Sequence, residues 1–585
     1  MKEYKLKDAE RIVKKETFNG EEIDVIYRKL LNPVTPEYLK SLSLEERKGL
    51  GAAPAIKYRK FYPLPGIICE QDVPTQLRDG TIIYSDIYRP DTAEKVPVIL
   101  SYSFFGKRPF EGGANYQVIG VPVGTISETA KFEGPDPGYW CYKGYAIANI
   151  DIRGCGRSEG DMIFWGEQYG QDGYDYVEWI AQEAWCNGNV GMFGNSGLCM
   201  SQWRVAATNP PHLACIAGWE GTGDYYREAM MEGGIPALGF NDDMLSKLVG
   251  FGYAEDYAAM LQKYPFMNAY WEDKIPRWKK ITIPTYVAAG WSHFHLRGSI
   301  EAFRRIASQK KWLRCHRDFE WPDMYSPENI DDVTRFFDRY LKGIHNGWEM
   351  TPKVRLDVMD AYDFDMFHNR PEENFPIKRT KYKKLYLNAE NGSMSPDTVE
   401  NVSSVKYDAH DGLANFDMYF DEDTEITGLM KLHLWVEAIG NDDMDLFVTI
   451  KKIDKDGEFV PHYVLGEPHP GAWGKLRVSR RALDPKLAKE HQPVLSHTKE
   501  EKLSAGEIVP VDIEVWPMSK FFHKGEGIRV EIAPKYLRDE SWFEYFAWDI
   551  DNEGEHVIHT GGEYDSFFEI PVVPPKYVIG DKIYR

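Results

Sequence analysis

A sharp passage from strand into helix is encoded by Asn189-Val-Gly-Met-Phe-Gly-Asn-Ser-Gly-Leu-Cys-Met-Ser-Gln-Trp203. The apolar run from Val190 to Phe193 predicts a buried strand, and the apolar spacing that begins at Leu198 predicts a helix. Ser196 stands between them, so its hydroxyl would project from the carboxyl edge of a sheet, with a helix N-terminus beneath it. A nucleophilic serine requires this arrangement; the alternative is a tight turn with an incidental serine.

Leu198 departs from the usual Gly-x-Ser-x-Gly pattern, in which a small residue two positions after the serine lets helix and strand pack closely. Gly197 is the residue that could relieve the crowding instead. The motif therefore needs support from the rest of the chain.

Composition narrows the class of protein. The 585 residues carry a formal net charge of -21, which argues against nucleic acid or an anionic membrane as partner. The charged N-terminus has no signal-peptide core, and no run of eighteen apolar residues occurs, so we expect a cytoplasmic protein. Seven scattered cysteines fit reduced thiols, and the absence of CxxC and HExxH pairs predicts no metal; we expect no cofactor.

The order of the patterns predicts an α/β protein with a second, all-β domain. Residues 1–65 form a polar N-terminal arm, which either covers the active site or reaches a neighbouring subunit in a homo-oligomer. Strands alternate with helices over 66–350, as in a mostly parallel sheet, and a Met- and aromatic-rich insertion at about 225–280 predicts a helical cap. Short alternating strands over 351–585 indicate a β-sandwich of the jelly-roll type.

Several ordered motifs resemble those of one family. They are Asp79-Gly-Thr81, Asp151-Ile-Arg-Gly-Cys-Gly-Arg-Ser-Glu-Gly160, Trp185-Cys-Asn-Gly-Asn-Val-Gly-Met-Phe-Gly194 and Ile558-His-Thr-Gly-Gly562. Together they resemble the CocE/NonD acyl hydrolases, which include cocaine esterase, α-amino acid ester hydrolase and the X-prolyl dipeptidyl peptidases. The resemblance implies an α/β-hydrolase core with a helical cap and a C-terminal jelly-roll domain.

The resemblance also implies parts of the site. Ser196 would be the nucleophile and the N–H of Gly197 one oxyanion donor. The family's second donor is a tyrosine hydroxyl, but the matching position here is Phe105, so a backbone amide of residues 103–106 or the hydroxyl of Tyr102 would have to replace it. The candidate substrate contacts are Tyr102, Trp219 and Trp291.

The base and the acid depart further from the family pattern. Where the family has Gly-Trp-x-Asp, this chain reads Gly290-Trp-Ser-His-Phe-His295, and near the family's Pro-Trp-x-His it reads Cys315-His-Arg-Asp-Phe-Glu-Trp321. A histidine thus stands where the acid is expected, and Glu320 stands approximately where the histidine is expected.

Two arrangements could complete a triad, because triads are defined by geometry and not by chain order. In the first, His293 or His295 accepts the serine proton and Glu320 or Asp318 orients the imidazole; we favour this one, with His295. In the second, His316 is the base and Glu220 is the acid. A histidine with a purely structural role is the alternative for each.

Two functions follow. The first is a serine hydrolase that cleaves an ester or amide of a small organic substrate through an acyl-enzyme on Ser196. The second is a non-hydrolytic relative, a ligand-binding scaffold or an enzyme of another reaction type, which has lost the usual triad.

Overall fold

The computed structural model describes residues 4–32, 64–108, 120–536, 548–579 and 582–584, with the single positions 43 and 546. Thirteen strands of the described chain precede the C-terminal domain: β1 (Arg11–Phe18), β2 (Glu21–Lys29), β3 (Ile67–Gln76), β4 (Ile82–Pro90), β5 (Val96–Ser103), β6 (Ala146–Asp151), β7 (Cys186–Asn195), β8 (Leu213–Trp219), β9 (Tyr253–Glu255), β10 (Thr285–Gly290), β11 (Lys311–His316), β12 (Val354–Met359) and β13 (Asp365–Glu372).

The α-helices of the described residues all lie between β5 and β12. They are α1 (Pro137–Trp140), α2 (Glu167–Ile180), α3 (Gly197–Ala206), α4 (Gly239–Ser246), α5 (Tyr257–Lys263), α6 (Ala269–Asp273), α7 (Leu296–Arg305), α8 (Glu320–Met324) and α9 (Pro327–Leu341). Among these residues, no helix is both long enough and apolar enough to cross a membrane.

A ten-stranded sheet forms the centre of the molecule, in the order β3-β4-β6-β5-β7-β8-β10-β11-β12-β13. The strands from β6 to β12 pair in parallel, and antiparallel strands close both ends. Every residue of β5, β6 and β10 is buried, as expected for a parallel sheet covered on both faces. This is the α/β-hydrolase fold, and the predicted fold class is confirmed.

The insertion between β8 and β10 contains α4, α5 and α6, a π-helical turn at Tyr226–Met230 and the short strand β9. Strands β1 and β2 form a hairpin, and β2 pairs with β9, so the start of the predicted arm joins the predicted cap. Residues 33–42 and 44–63 of the predicted arm lie outside the described residues.

The central sheet continues beyond the domain boundary predicted at residue 350. Strand β12 pairs in parallel with β11, and β13 pairs with β12. The sequence pattern did not predict this extension of the sheet. Helical periodicity ends after α9, and the strand pattern of β12 and β13 runs on into that of the next domain.

The C-terminal domain consists of strands that pair mostly antiparallel: β14 (Lys381–Asn388), β15 (Ser393–Ser395), β16 (Ser403–Asp408), β17 (Ala414–Tyr419), β18 (Thr424–Ile439), β19 (Asp445–Ile453), β20 (His462–Val464), β21 (Glu467–His469), β22 (Ala472–Arg477), β23 (Val509–Phe522), β24 (Gly527–Ala533), β25 (Glu555–Thr560), β26 (Phe567–Val572), β27 (Tyr577–Ile579) and β28 (Lys582–Tyr584). Strand β18 pairs with β23, β25 and β26, whereas β19 pairs with β22 and β24. Buried side chains alternate along the second half of β18 and face an apolar core, as in the predicted jelly-roll sandwich.

Candidate active site

Ser196 occupies a strained turn between β7 and α3. Its backbone has φ 51° and ψ -117°, outside the conformations that a residue with a side chain normally adopts. Its N–H donates to the carbonyls of Trp219 and Glu220 at 3.1 and 2.8 Å, and its carbonyl accepts from Met200 at 2.9 Å. The neighbouring strand and the helix thus hold the serine in this conformation from both sides.

Glycines on each side of Ser196 explain how the turn accommodates Leu198. Gly194 has φ 149°, and a Cβ placed there would lie 2.6 Å from the Leu198 Cβ. The space that a small residue at position 198 would give is therefore provided at position 194. Gly197 makes room for a different contact: the rings of Phe104 and Phe105 pack against it.

His295 meets the serine directly. Its Nε2 lies 3.0 Å from the Ser196 Oγ, and its Nδ1 lies 2.8 Å from the Thr222 Oγ1. Burial, reinforced by the nearby imidazole of His293, lowers the pKa of His295 well below 6.5, so the ring is neutral at pH 7. If Nδ1–H donates to Thr222, Nε2 is free to accept the serine proton.

His293, two residues before His295 in the same loop, contacts two buried glutamates. Its Nδ1 is 3.0 Å from a Glu220 oxygen and its Nε2 is 3.5 Å from a Glu320 oxygen. The predicted partner of His295, Glu320, thus contacts His293 instead. Asp318 does not orient His295 either: its carbonyl accepts from the His316 Nδ1 at 3.0 Å, and its carboxylate pairs with Arg317.

Glu220 is the centre of a buried charge cluster. It lies at the end of β8 with φ 44°, and its second oxygen is 3.0 Å from the His316 Nε2. Burial alone would raise the pKa of Glu220, but His293 and His316 outweigh it and hold the pKa below its usual range. The His316–Glu220 pair of the second predicted arrangement is therefore present, yet within the described residues no hydrogen bond joins His316 to Ser196.

Two further buried carboxyl groups adjoin the cluster. The Asn195 amide donates to Glu320 at 2.7 Å and to Glu133 at 3.3 Å. Burial raises the pKa of Glu320 to about 7, a rise that the imidazole of His293 limits and the charge of Glu220 increases. Burial and the neighbouring Glu320 also raise the pKa of Glu133. These two groups share one amide and favour holding a proton between them.

Two of the groups predicted as the second oxyanion donor have other partners in the structure. The Phe105 N–H donates to the Ser103 Oγ at 3.3 Å, and the Tyr102 side chain is buried against Tyr169 in the core. The Gly197 N–H is in the first turn of α3, where a helix leaves its amides without intrahelical partners.

Two other predicted substrate contacts also fill the core. The Trp219 indole donates to Asp323 at 2.8 Å, and the Trp291 indole donates to the Asp357 carbonyl at 2.9 Å. Both side chains are buried, contrary to the prediction that they line a substrate pocket. At the ends of central strands, large aromatic rings pack between the sheet and its neighbours.

A narrow cleft, with an internal volume of about 40 Å³, lies beside the histidine loop, between the cap and the C-terminal domain. We call it the aromatic cleft; its lining residues are Glu228, Ala229, Glu232, Ala237, Phe240, Ser292, His293, Phe294, Phe319, Trp473, Lys475, Tyr536, Phe546 and Trp548. Phe294, on the wall of the cleft, packs beside His295, with 4.2 Å between the centroids of the two rings. The lining of the cleft is mostly aromatic and apolar.

Metal binding is the remaining chemical option in this region. His293, His295 and Glu320 place one possible ligand atom each within 4.8 Å of one another. The ring nitrogens are already engaged with Ser196, Thr222 and the two glutamates, so the geometry is explained without a metal.

Comparisons with known proteins agree with this architecture. Residues 79–256 match the X-Pro dipeptidyl-peptidase (S15 family), and residues 346–569 match the X-Pro dipeptidyl-peptidase C-terminal non-catalytic domain. The solved structure of a CocE/NonD family hydrolase from Staphylococcus aureus is 35% identical with a TM-score of 0.81, over 87% of this chain and 94% of that one.

Two more distant relatives span almost the same length. Cocaine esterase from Rhodococcus sp. is 24% identical over 86% of this chain and 98% of its own length. A solved α-amino acid ester hydrolase, 15% identical, shares the fold with a TM-score of 0.64 over 89% of this chain and 99% of that one.

Proposed function

Because the chain belongs to the CocE/NonD family of hydrolases, we propose that it cleaves an ester or amide of a small organic substrate through an acyl-enzyme on Ser196. The chain is a serine hydrolase, as its relatives are, and the family acts on esters or X-Pro peptides. The observation that carries the assignment of the nucleophile is the 3.0 Å contact between the Ser196 Oγ and the His295 Nε2.

In the first step, the Ser196 Oγ attacks the substrate carbonyl while its proton passes to the His295 Nε2. The Gly197 N–H stabilises the oxyanion, and the imidazolium then protonates the leaving group. Water, deprotonated by the same nitrogen, hydrolyses the acyl-enzyme. These steps require only one proton carrier, which is the role of His295.

Two residues together replace the acid of the usual triad: Thr222 orients the imidazole and Glu220 stabilises its positive charge. Thr222 accepts from Nδ1 at 2.8 Å and so fixes the tautomer. The ionised Glu220 raises the pKa of His295 against the effect of burial, which favours the imidazolium formed during the reaction. Orientation and charge thus come from two different residues.

The aromatic cleft supports an apolar acyl or leaving group as the part of the substrate that is recognised. Phe294 links the cleft to His295, and aromatic side chains from the cap and the C-terminal domain complete the wall. The named relatives are hydrolases, which favours this proposal over the non-hydrolytic alternative.

The test combines labelling and turnover. Wild-type protein is expected to react with a fluorophosphonate probe on the peptide that carries Ser196 and to hydrolyse p-nitrophenyl esters at steady state. Ser196→Ala is expected to abolish steady-state turnover while the melting temperature stays near that of the wild type. Continued turnover in Ser196→Ala, or absence of probe from that peptide in the wild type, would contradict the proposal.

A further inference from the structure

A second serine near the reaction site has an imidazole partner of its own. The Ser292 Oγ lies 2.6 Å from the His462 Nε2, and the His462 Nδ1 lies 3.1 Å from the Lys520 Nζ. All three side chains are buried. Ser292 comes from the loop that also carries His295, whereas His462 and Lys520 come from β20 and β23 of the C-terminal domain.

Ser292 lies on the wall of the aromatic cleft together with His293 and Phe294, although its side chain is largely buried. A hydroxyl at 2.6 Å from a ring nitrogen is within the distance at which an imidazole activates a serine. The mechanism through Ser196 uses none of Ser292, His462 and Lys520.

We propose that Ser292, His462 and Lys520 form a second nucleophilic site on the wall of the aromatic cleft, which accepts an acyl group from small activated esters. In the step, the Ser292 Oγ forms a bond to the ester carbonyl carbon and its proton passes to the His462 Nε2. The carbonyl carbon then loses the alkoxide, which takes that proton from Nε2. The products are O-acyl Ser292 and the free alcohol.

Lys520 determines which His462 nitrogen carries the proton. A neutral amine accepts from Nδ1–H and leaves Nε2 able to take the serine proton, whereas an ammonium group donates to Nδ1 and makes Nε2 a donor. Within the described residues no carboxylate oxygen lies within 4.0 Å of the Lys520 Nζ. The nearby carboxylates of Asp360 and Glu526 instead pair with the Lys452 Nζ, at 2.5 and 2.7 Å.

The surroundings of Lys520 place this change near neutral pH. Burial is the main cause that lowers the pKa of Lys520 to about 7, and the charge of Lys452 adds to it. Asp360, Glu526 and Asp365 act in the opposite direction. The reactive state of Ser292 is therefore populated as the pH rises through about 7.

The experiment uses the full-length Ser196→Ala protein, so its result is separate from the test of Ser196. After p-nitrophenyl acetate is added, we expect release of about one p-nitrophenol per chain without turnover, and peptide mass spectrometry should locate the acetyl group on Ser292. A second substitution, Ser292→Ala, in the Ser196→Ala protein should abolish the release of p-nitrophenol. Adding Ser308→Ala should not, because Ser308 is a buried serine whose Oγ accepts from the Lys310 amide at 3.1 Å and meets no described imidazole.

Two further variants test the partners. In the Ser196→Ala background, His462→Gln should slow acetylation by at least about a hundredfold, the usual loss when a general base is removed. Lys520→Met should remove the rise in acetylation rate near pH 7, a readout that does not depend on the His462 variant being stable. No acetyl group on Ser292, or acetylation that is indifferent to both variants, overturns the proposal.

Discussion

Substitution of His295 by glutamine tests whether His295, and not another histidine of the loop, is the general base. Glutamine keeps a polar side chain of similar size at the Ser196 Oγ but cannot take its proton. A positioned general base contributes roughly 10²–10⁴-fold, which at 1.36 kcal/mol per tenfold corresponds to about 2.7–5.4 kcal/mol of transition-state stabilisation. We expect kcat/KM of His295→Gln to fall by that factor while its melting temperature changes little.

His293→Gln is the matched control, because it removes an imidazole 4.8 Å away that contacts Glu220 and not Ser196. Breaking a buried pair costs roughly 3–5 kcal/mol, and because His316 still holds Glu220 we expect a loss near 3 kcal/mol. This variant should lower the unfolding midpoint in urea more than His295→Gln does, with a smaller effect on the rate.

The assay is p-nitrophenyl ester hydrolysis at steady state, with urea unfolding of the same samples. The reasoning is refuted if His295→Gln retains activity within threefold of the wild type while His293→Gln abolishes it. That result would assign the base to His293 and make the 3.0 Å contact to Ser196 incidental.

Three other predictions use the same assays. Thr222→Val leaves the His295 Nδ1–H buried without its partner, a cost of about 1–3 kcal/mol, so kcat/KM should fall roughly 5- to 150-fold; an unchanged rate would show that Thr222 does not fix the tautomer. Gly194→Ala places a Cβ at φ 149° and 2.6 Å from Leu198, so the yield of folded protein should drop and Leu198→Ala should partly restore it; an additive double variant would argue against the clash. Since burial lowers the pKa of His295, the base stays neutral below pH 6.5, and kcat/KM should be lost only as the pH falls through that lowered pKa; an acid limb above 6.5 contradicts the environment described.

The sequence was sufficient for the features that depend on local pattern. Alternating strands and helices predicted the α/β sheet, and a short apolar run followed at once by an amphipathic pattern placed Ser196 at a turn. Both follow from side-chain periodicity over about ten residues, which is largely independent of the remaining fold. The cytoplasmic location and the role of the arm in a homo-oligomer stay predictions.

Residue roles that depend on tertiary distance were not accessible in the same way. Thr222 carries no motif, and it reaches His295 only because β8 and β10 are neighbours in the sheet. Trp219 and Trp291 follow strands closely, which predicted a place at the site, but their rings turn into the core. Proximity along the chain fixes the position of a residue at the sheet edge and leaves the direction of its side chain open.

The exchange between acid and histidine has a physical consequence for the site. Relative to the family pattern, His293 takes the place of the acid and Glu320 approximately that of the histidine, and the two side chains still lie within 3.5 Å of each other. A carboxyl–imidazole pair is therefore present with its order along the chain reversed. The exchanged imidazole interacts with Glu220 and Glu320, whereas the proton of Ser196 is within reach of a second imidazole two residues later. Because His295 contacts Ser196 directly, the reversed His293–Glu320 pair is not needed as the base for the serine.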